Sequence, residues 1–223
     1  MRETLNKAIA DIPMPDRMRR LPISSEGYPV PWFVASPKGK PDFRVVNTGA
    51  PGRAIRANLC WICGQTLGRF RAFVIGPMCA VNRVSSEPPS HRDCAEYAVR
   101  ACPFLTRPRM RRNEQDLPAE RITPAGIALA RNPGVALVWT TRTFKPFRTP
   151  DGGWLYQIGD PDSLQFFAEG RPATRDEIMA SVESGLPLLQ DMAQKEGQAA
   201  ITALDVQVAA AMRLIDETVP RWR

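Results

Sequence analysis

Three cysteines and the chain's single histidine stand in two short pairs, Cys60-x2-Cys63 and His91-x2-Cys94, with 27 residues between the pairs. Donors spaced this way clamp one edge of a tetrahedron from a single turn of backbone, and two such clamps complete the shell of a Zn2+ ion. Three thiolates and one imidazole leave no coordination position for water or substrate. The spacing therefore predicts a structural zinc ion and a fold organised around it. Cys79 and Cys102 are additional thiols. Cys79 is the alternative to His91 as a ligand, although an isolated cysteine more often packs as a small apolar residue. A redox role for Cys60 and Cys63 lacks a surrounding βαβ pattern and leaves the His-x2-Cys pair unexplained.

The surrounding residues predict how the clamps are built. Gly64 and Gly68 flank the first pair and let the backbone fold back so that amides point at sulfur. Residues 69–75, rich in aromatic and β-branched side chains and ended by Gly76-Pro77, read as a strand. Ser90 is the expected cap of a helix over residues 91–101, which puts His91 and Cys94 on one face before Pro103 stops it. Knuckle, hairpin, then a helix whose first turn carries two ligands resembles the treble-clef class of zinc folds, over residues 59–103. The intervening residues 76–90 are long for that class. They read as a folded-back loop that brings Asn82, Arg83 and Ser85 near the metal.

A module of this size has little core of its own, so neighbouring elements must supply one. Residues 27–34 and 41–46 read as two strands joined by a turn at 36–40, and a short helix over 52–59 leads into the knuckle. A short helix over 2–9 and a basic, proline-interrupted arm over 13–20, read as a solvated tail, precede them. Charge is uneven: residues 1–112 hold 19 Lys+Arg against 8 Asp+Glu, whereas 113–223 hold 11 against 15. Arg107, Arg109, Arg111 and Arg112 form the densest basic strip, and with Arg100 and Arg69 they are the expected phosphate-contacting face. The competing reading makes them a solvated linker or salt-bridge partners of the acidic half. No aromatic residue interleaves the strip, which favours backbone contact over base readout.

The second half reads as a helix over 123–130, a buried strand over 135–143 with a hairpin partner at 154–158 across the turn at 150–153, and a third strand at 164–167. Phe144, Phe147 and Trp154 form an expected core cluster. Thr174 and Glu177 spell a capping box for a helix reaching about residue 184, with Gly185 its stop, and residues 186–192 restart it or continue it with a kink. An apolar stripe, Ile201, Leu204, Val208, Met212, Ile215 and Val219, needs a partner. Either the preceding helix supplies it in a helical hairpin or a second copy does in a homodimer through 196–219. The expected fold is α+β. A zinc-stabilised, treble-clef-like basic module with flanking short strands (1–112, core 59–103) precedes an α+β region (113–223) of a small antiparallel sheet and C-terminal helices.

Most reaction classes need residues this chain lacks or has committed. The one histidine is a metal ligand, so a nuclease of the HNH type has no base, and no zinc-deaminase, Walker, dinucleotide-binding or nucleophile-elbow motif appears. Scattered carboxylates such as Asp160, Asp162, Glu169 and Asp176 read as solvated surface. Residues 76–83, 87–94 and 168–174 resemble a family of uncharacterised bacterial and bacteriophage proteins. That resemblance implies no activity and fits a phage accessory role. The expectation is a non-catalytic zinc-stabilised binding protein that contacts nucleic acid through its basic face; the alternative is a protein-interaction module that modulates a host protein. An odd number of cysteines, no signal-like start and no apolar stretch of about 20 residues point to the cytoplasm and away from membranes.

Overall fold

Proline and glycine cut the first half of the chain into short elements, while the second half sustains longer ones. The computed structural model describes residues 4–108, 110, 111, 113, 115–117, 125 and 132–219. The helix expected near the N-terminus gives way to turns over residues 7–12. There the Asn6 side chain accepts from the Ala8 amide, a local bond that competes with helix formation. The expected helix over 123–130 falls almost wholly outside the described residues.

β1 (Val34–Ala35) pairs antiparallel with β2 (Asp42–Val46) across a 3-10 turn at Pro37–Gly39. Pro29 and Pro31 lack amide donors, which keeps the ladder short. α1 (Ala50–Arg56) leads to the Cys60 knuckle, and β3 (Arg71–Ile75) follows it. The presumed loop then contains α2 (Pro77–Asn82) and β4 (Val84–Ser85). Pro77 opens that helix at a position where a missing N–H costs nothing, so the Gly76-Pro77 pair ends a strand and starts a helix at once. α3 (Arg92–Ala101) and α4 (Pro103–Thr106) complete the first half. The cap of α3 is His91 rather than Ser90, because Ser90 is drawn into a bridge with Ala72.

The second half contributes β5 (Ala136–Thr141), β6 (Phe144–Arg148), β7 (Trp154–Ile158), β8 (Pro161–Ala168) and β9 (Arg171–Pro172), then α5 (Arg175–Glu196) and α6 (Gln198–Thr218). One antiparallel sheet runs β3-β5-β8-β9 and a second runs β4-β7-β6, so both combine strands from the two halves of the chain. β5 does not pair with β7 as the local sequence predicts. All six of its residues are buried, and such a strand needs neighbours on both sides and cover on both faces. Ala136 and Val138 pack with Ala72 against Ala95 and Val99 of α3, while Leu137 and Trp139 pack with Phe73, Tyr156 and Ile158. The 150–153 turn instead joins β7 to β6, whose Pro146 suits its place at the sheet edge. Phe144 and Trp154 join the core as expected, but Phe147 is exposed.

α5 runs straight through Gly185 and Pro187. A Cβ on Gly185 would lie 2.9 Å from Met78 Cγ, so the glycine serves the close packing of α5 on α2 rather than a helix end. Gly197, at φ +102°, turns the chain into α6, which returns antiparallel so that Arg175 donates to the Val219 carbonyl and pairs with Asp216. The α6 stripe is spent inside this hairpin: Leu204 is buried with Leu189, Ala193 and Val81, and Ile215 with Ile178. By length and mean hydropathy (1.2), α6 is nonetheless apolar enough to cross a membrane, contrary to the sequence expectation.

The capping box at the start of α5 is complete. The Glu177 amide donates to Thr174 Oγ1 and the Thr174 amide donates to Glu177 Oε2. Arg171, then Thr174, hold the Glu177 carboxyl down at about 2, from an ordinary 4.5. A depressed folded-state value stabilises fully above about pH 4.5 and progressively less as pH falls toward 2. The pair is exposed, so the effect is small. Glu177→Gln is expected to flatten the acid limb of a thermal-stability profile, and Thr174→Ala to cost about 1 kcal/mol by circular dichroism.

Candidate metal centre

The first clamp is a tight backbone hairpin. Leu59 bridges Thr66, the Cys60 amide donates to the Gln65 carbonyl (2.7 Å), and the Gly64 amide donates to the Cys60 carbonyl (3.0 Å). Gly64 has φ +72°, and a Cβ there would sit 2.9 Å from Trp32 Cγ. Glycine is required on both counts. Trp32 lies over the knuckle, its indole N–H donating to the Cys60 carbonyl (2.7 Å) and its amide to the Ile62 carbonyl (3.1 Å). Phe33 stacks on Trp61 with centroids 4.4 Å apart.

The second clamp arrives through strand pairing. Ala72 and Ser90 exchange two backbone hydrogen bonds, of 2.8 and 2.7 Å, which sets the start of α3 beside the knuckle. His91 then occupies the cap and Cys94 the first turn. The Sγ atoms of Cys60, Cys63 and Cys94 and one ring nitrogen of His91 all lie within 4.8 Å of one another, and all four residues are buried. The four can hold a metal ion. The amides of Cys63 (3.4 Å) and His91 (3.3 Å) point at Cys60 Sγ, and the positive end of α3 faces the same sulfurs. His91 Nε2 is 3.0 Å from the Thr66 carbonyl, which can only accept, so Nε2 carries the proton. Nδ1 is thereby left free to ligate, at 3.4 Å from Cys63 Sγ.

Charge is shared unevenly among these groups in the protein alone. Burial pushes the Cys60 thiol up, but hydrogen bonds from Cys63, Cys94 and His91 outweigh it and bring it well below the ordinary thiol range. Hydrogen bonds to Cys60 and Cys63, with burial, hold the Cys94 proton on. Hydrogen bonds to Cys60 and Cys63 raise His91 to about 10. Ionising one thiol of such a buried cluster makes the next harder to ionise, because adjacent thiolates repel one another.

Cys79 is not part of the cluster. It packs on α2 beside Phe73 and Ile75, and burial raises its thiol to about 11. Asn82, Arg83 and Ser85 engage Val84, Asp160 and Glu87 rather than the cluster. The basic arm is not a solvated tail: Met18 is buried with Ile9 and Leu21 over the cysteines, Arg17 pairs with Asp93 at 3.0 Å, and Gln65 donates to the Arg17 carbonyl. Trp32, Thr66 and this covering segment were missed by reading spacing, since no local signal connects them to the ligands. An apolar cleft between α2, α5, α6 and the sheet includes Ser181, whose hydroxyl is already bonded to Pro133 and Val135.

The arginines singled out by sequence divide between two places. Arg100 and Arg107 lie at the C-terminal end of α3 and just past α4, where the Arg100 carbonyl is 3.1 Å from the Cβ position of Gly170. Arg69 precedes β3 at the opposite end of the sheet, beside the knuckle. Arg111 is exposed, and Arg109 and Arg112 lie outside the described residues. No protein-family profile, curated protein or solved structure matches the chain.

Loading the site requires the cysteine ligands to bind as thiolates and His91 to present an unprotonated Nδ1. Metal uptake is therefore expected to release protons and to weaken as pH falls, which calorimetric titration in buffers of different ionisation enthalpy will measure. Gly64→Ala is expected to cost more than about 1 kcal/mol, through its backbone conformation and the contact with Trp32. Thermal melts and the tryptophan emission accompanying metal titration will report it.

Proposed function

We propose that this protein is a zinc-stabilised module that binds nucleic acid through exposed arginines and performs no chemistry at its metal. Zinc is favoured by donor type. A Cys3His set suits a borderline-soft ion without geometric preference, and tetrahedral bonds of about 2.3 Å to sulfur and 2.0 Å to nitrogen place those ligands about 3.5 Å apart. The 3.4 Å between Cys63 Sγ and His91 Nδ1 supports that fit. The zinc unit is treble-clef-like in its knuckle and its ligand-bearing helix, with the Ala72–Ser90 bridge as what remains of the hairpin. Free cysteines throughout the described chain suit a reducing compartment, and we assign the protein to the cytoplasm.

The observation that carries the nucleic-acid reading is how the arginines sort. Arg17, Arg19, Arg44, Arg83, Arg92, Arg142, Arg171 and Arg175 each pair with a carboxylate of this chain. Arg69, Arg100, Arg107 and Arg111 are exposed and, like the exposed Arg20, Arg53, Arg56, Arg148 and Arg213, have no carboxylate within 4.0 Å among the described residues. Cations left unneutralised at a surface favour a polyanion, and guanidinium forks suit phosphate. Much of the α6 stripe that a protein partner or second copy would use is already covered by α5 and α2.

In a fluorescence-anisotropy titration of labelled DNA and RNA, the zinc-loaded protein is expected to bind at low salt and to lose affinity as salt rises. The logarithmic slope should be close to −0.9 per phosphate neutralised on a duplex, roughly. Replacing Arg100, Arg107 and Arg111 by Ala should weaken binding and reduce that slope without changing the melting temperature. Absence of binding at low salt overturns the reading.

A further inference from the structure

Among the described residues four large apolar side chains are exposed, Phe43, Phe70, Phe147 and Val206. Phe70 is the one that sits between two arginines in sequence, Arg69 and Arg71, and stacks against a third, the Arg142 guanidinium lying 5.4 Å from its ring centroid. We propose that Phe70 is a stacking platform for a base of single-stranded nucleic acid, with Arg69 and Arg142 receiving the flanking phosphates. The proposal rests on the polyanion reading above and names the form of nucleic acid this end of the molecule takes.

Three features support it. Phe70 is 45 % exposed although apolar area gains by burial, and a base supplies a matching π-face. Its backbone is held in place, because β3 begins at the next residue and is paired with β5 from Arg71 onward. A platform held by a sheet needs no ordering when a base arrives. Arg142 gives one nitrogen to Asp162 and keeps further N–H groups for a phosphate, while Arg69 is exposed and has no carboxylate partner among the described residues. A duplex hides its base faces in its own stack, so this surface selects single strands.

The test compares the zinc-loaded protein with its Phe70→Ala and Phe70→Trp variants for binding to a short labelled oligo(dT), an oligo(U) and a hairpin duplex at low salt. Phe70→Ala is expected to weaken single-strand binding about tenfold, to leave duplex binding within about twofold, and Phe70→Trp to restore the single-strand affinity. In the Trp variant, oligonucleotide should also quench emission beyond the quenching seen in the parent protein. Binding that Phe70→Ala leaves unchanged, or weakens equally for duplex and single strand, overturns the platform and leaves the polyanion reading standing. No binding by the parent protein to any of the three overturns both. Since Phe70 is at the surface, equal melting temperatures of the three proteins will show that a loss is not unfolding.

Discussion

The backbone of Ala72 is where the metal centre and the rest of the fold meet. Its N–H and C=O are spent on Ser90, and that exchange sets His91 and Cys94 beside the knuckle. Alternation along an antiparallel strand turns the neighbouring residues of β3 toward β5, with which Arg71, Phe73 and Ile75 are in register. Its methyl group is buried against Ala95 and Val99 on the sheet face that α3 covers. A single strand thus orients the second ligand pair, forms one edge of the four-stranded sheet and receives the ligand-bearing helix. Misplacement of this strand would disturb all three together.

The metal centre is correspondingly built from distant parts of the chain. Cys60 is fully buried because Trp32 covers the knuckle from one side and residues 9–21 cover it from another. Amides of Cys63 and His91 converge on its sulfur beside the start of α3, and the side chains of Cys63, Cys94 and His91 bring its thiol below the ordinary range. A metal bound there would link a knuckle, a helix and, through their packing, the N-terminal segment. Such a link contributes to folding in the way a cross-link does, by restricting the unfolded chain as well as by bonding the folded one.

Electrostatics in this chain is organised by pairing rather than by net charge. Although the first half is strongly basic, several of its arginines are neutralised within the fold, Arg17 by Asp93 and Arg83 by Asp160 among them. Arg44 pairs with Asp42 and also donates to the carbonyls of Asn113 and Gln115. Counting lysines and arginines along the sequence therefore overstates the field available to a partner. Of the arginines that the sequence singles out, Arg69 lies at one end of the four-stranded sheet and Arg100 and Arg107 at the other.

The ligand set was legible in the sequence because metal coordination is local: two donors two residues apart share one turn, and a lone histidine in such a pair has few other uses. The antiparallel helical hairpin, the capping box at Thr174, the bounds of β7 and the end of β3 at Ile75 were legible for the same reason, since each depends on neighbours within a few positions, although β3 starts at Arg71 rather than at residue 69. What tertiary structure decided was partnership. β5 takes β3 and β8 instead of the nearby β7, Gly185 serves a helix contact instead of a helix end, and Ser90 pairs with Ala72 instead of capping α3. Each outcome depends on burying apolar surface or satisfying a backbone group against residues far away in the chain, and periodicity and spacing carry no information about which distant surface that is.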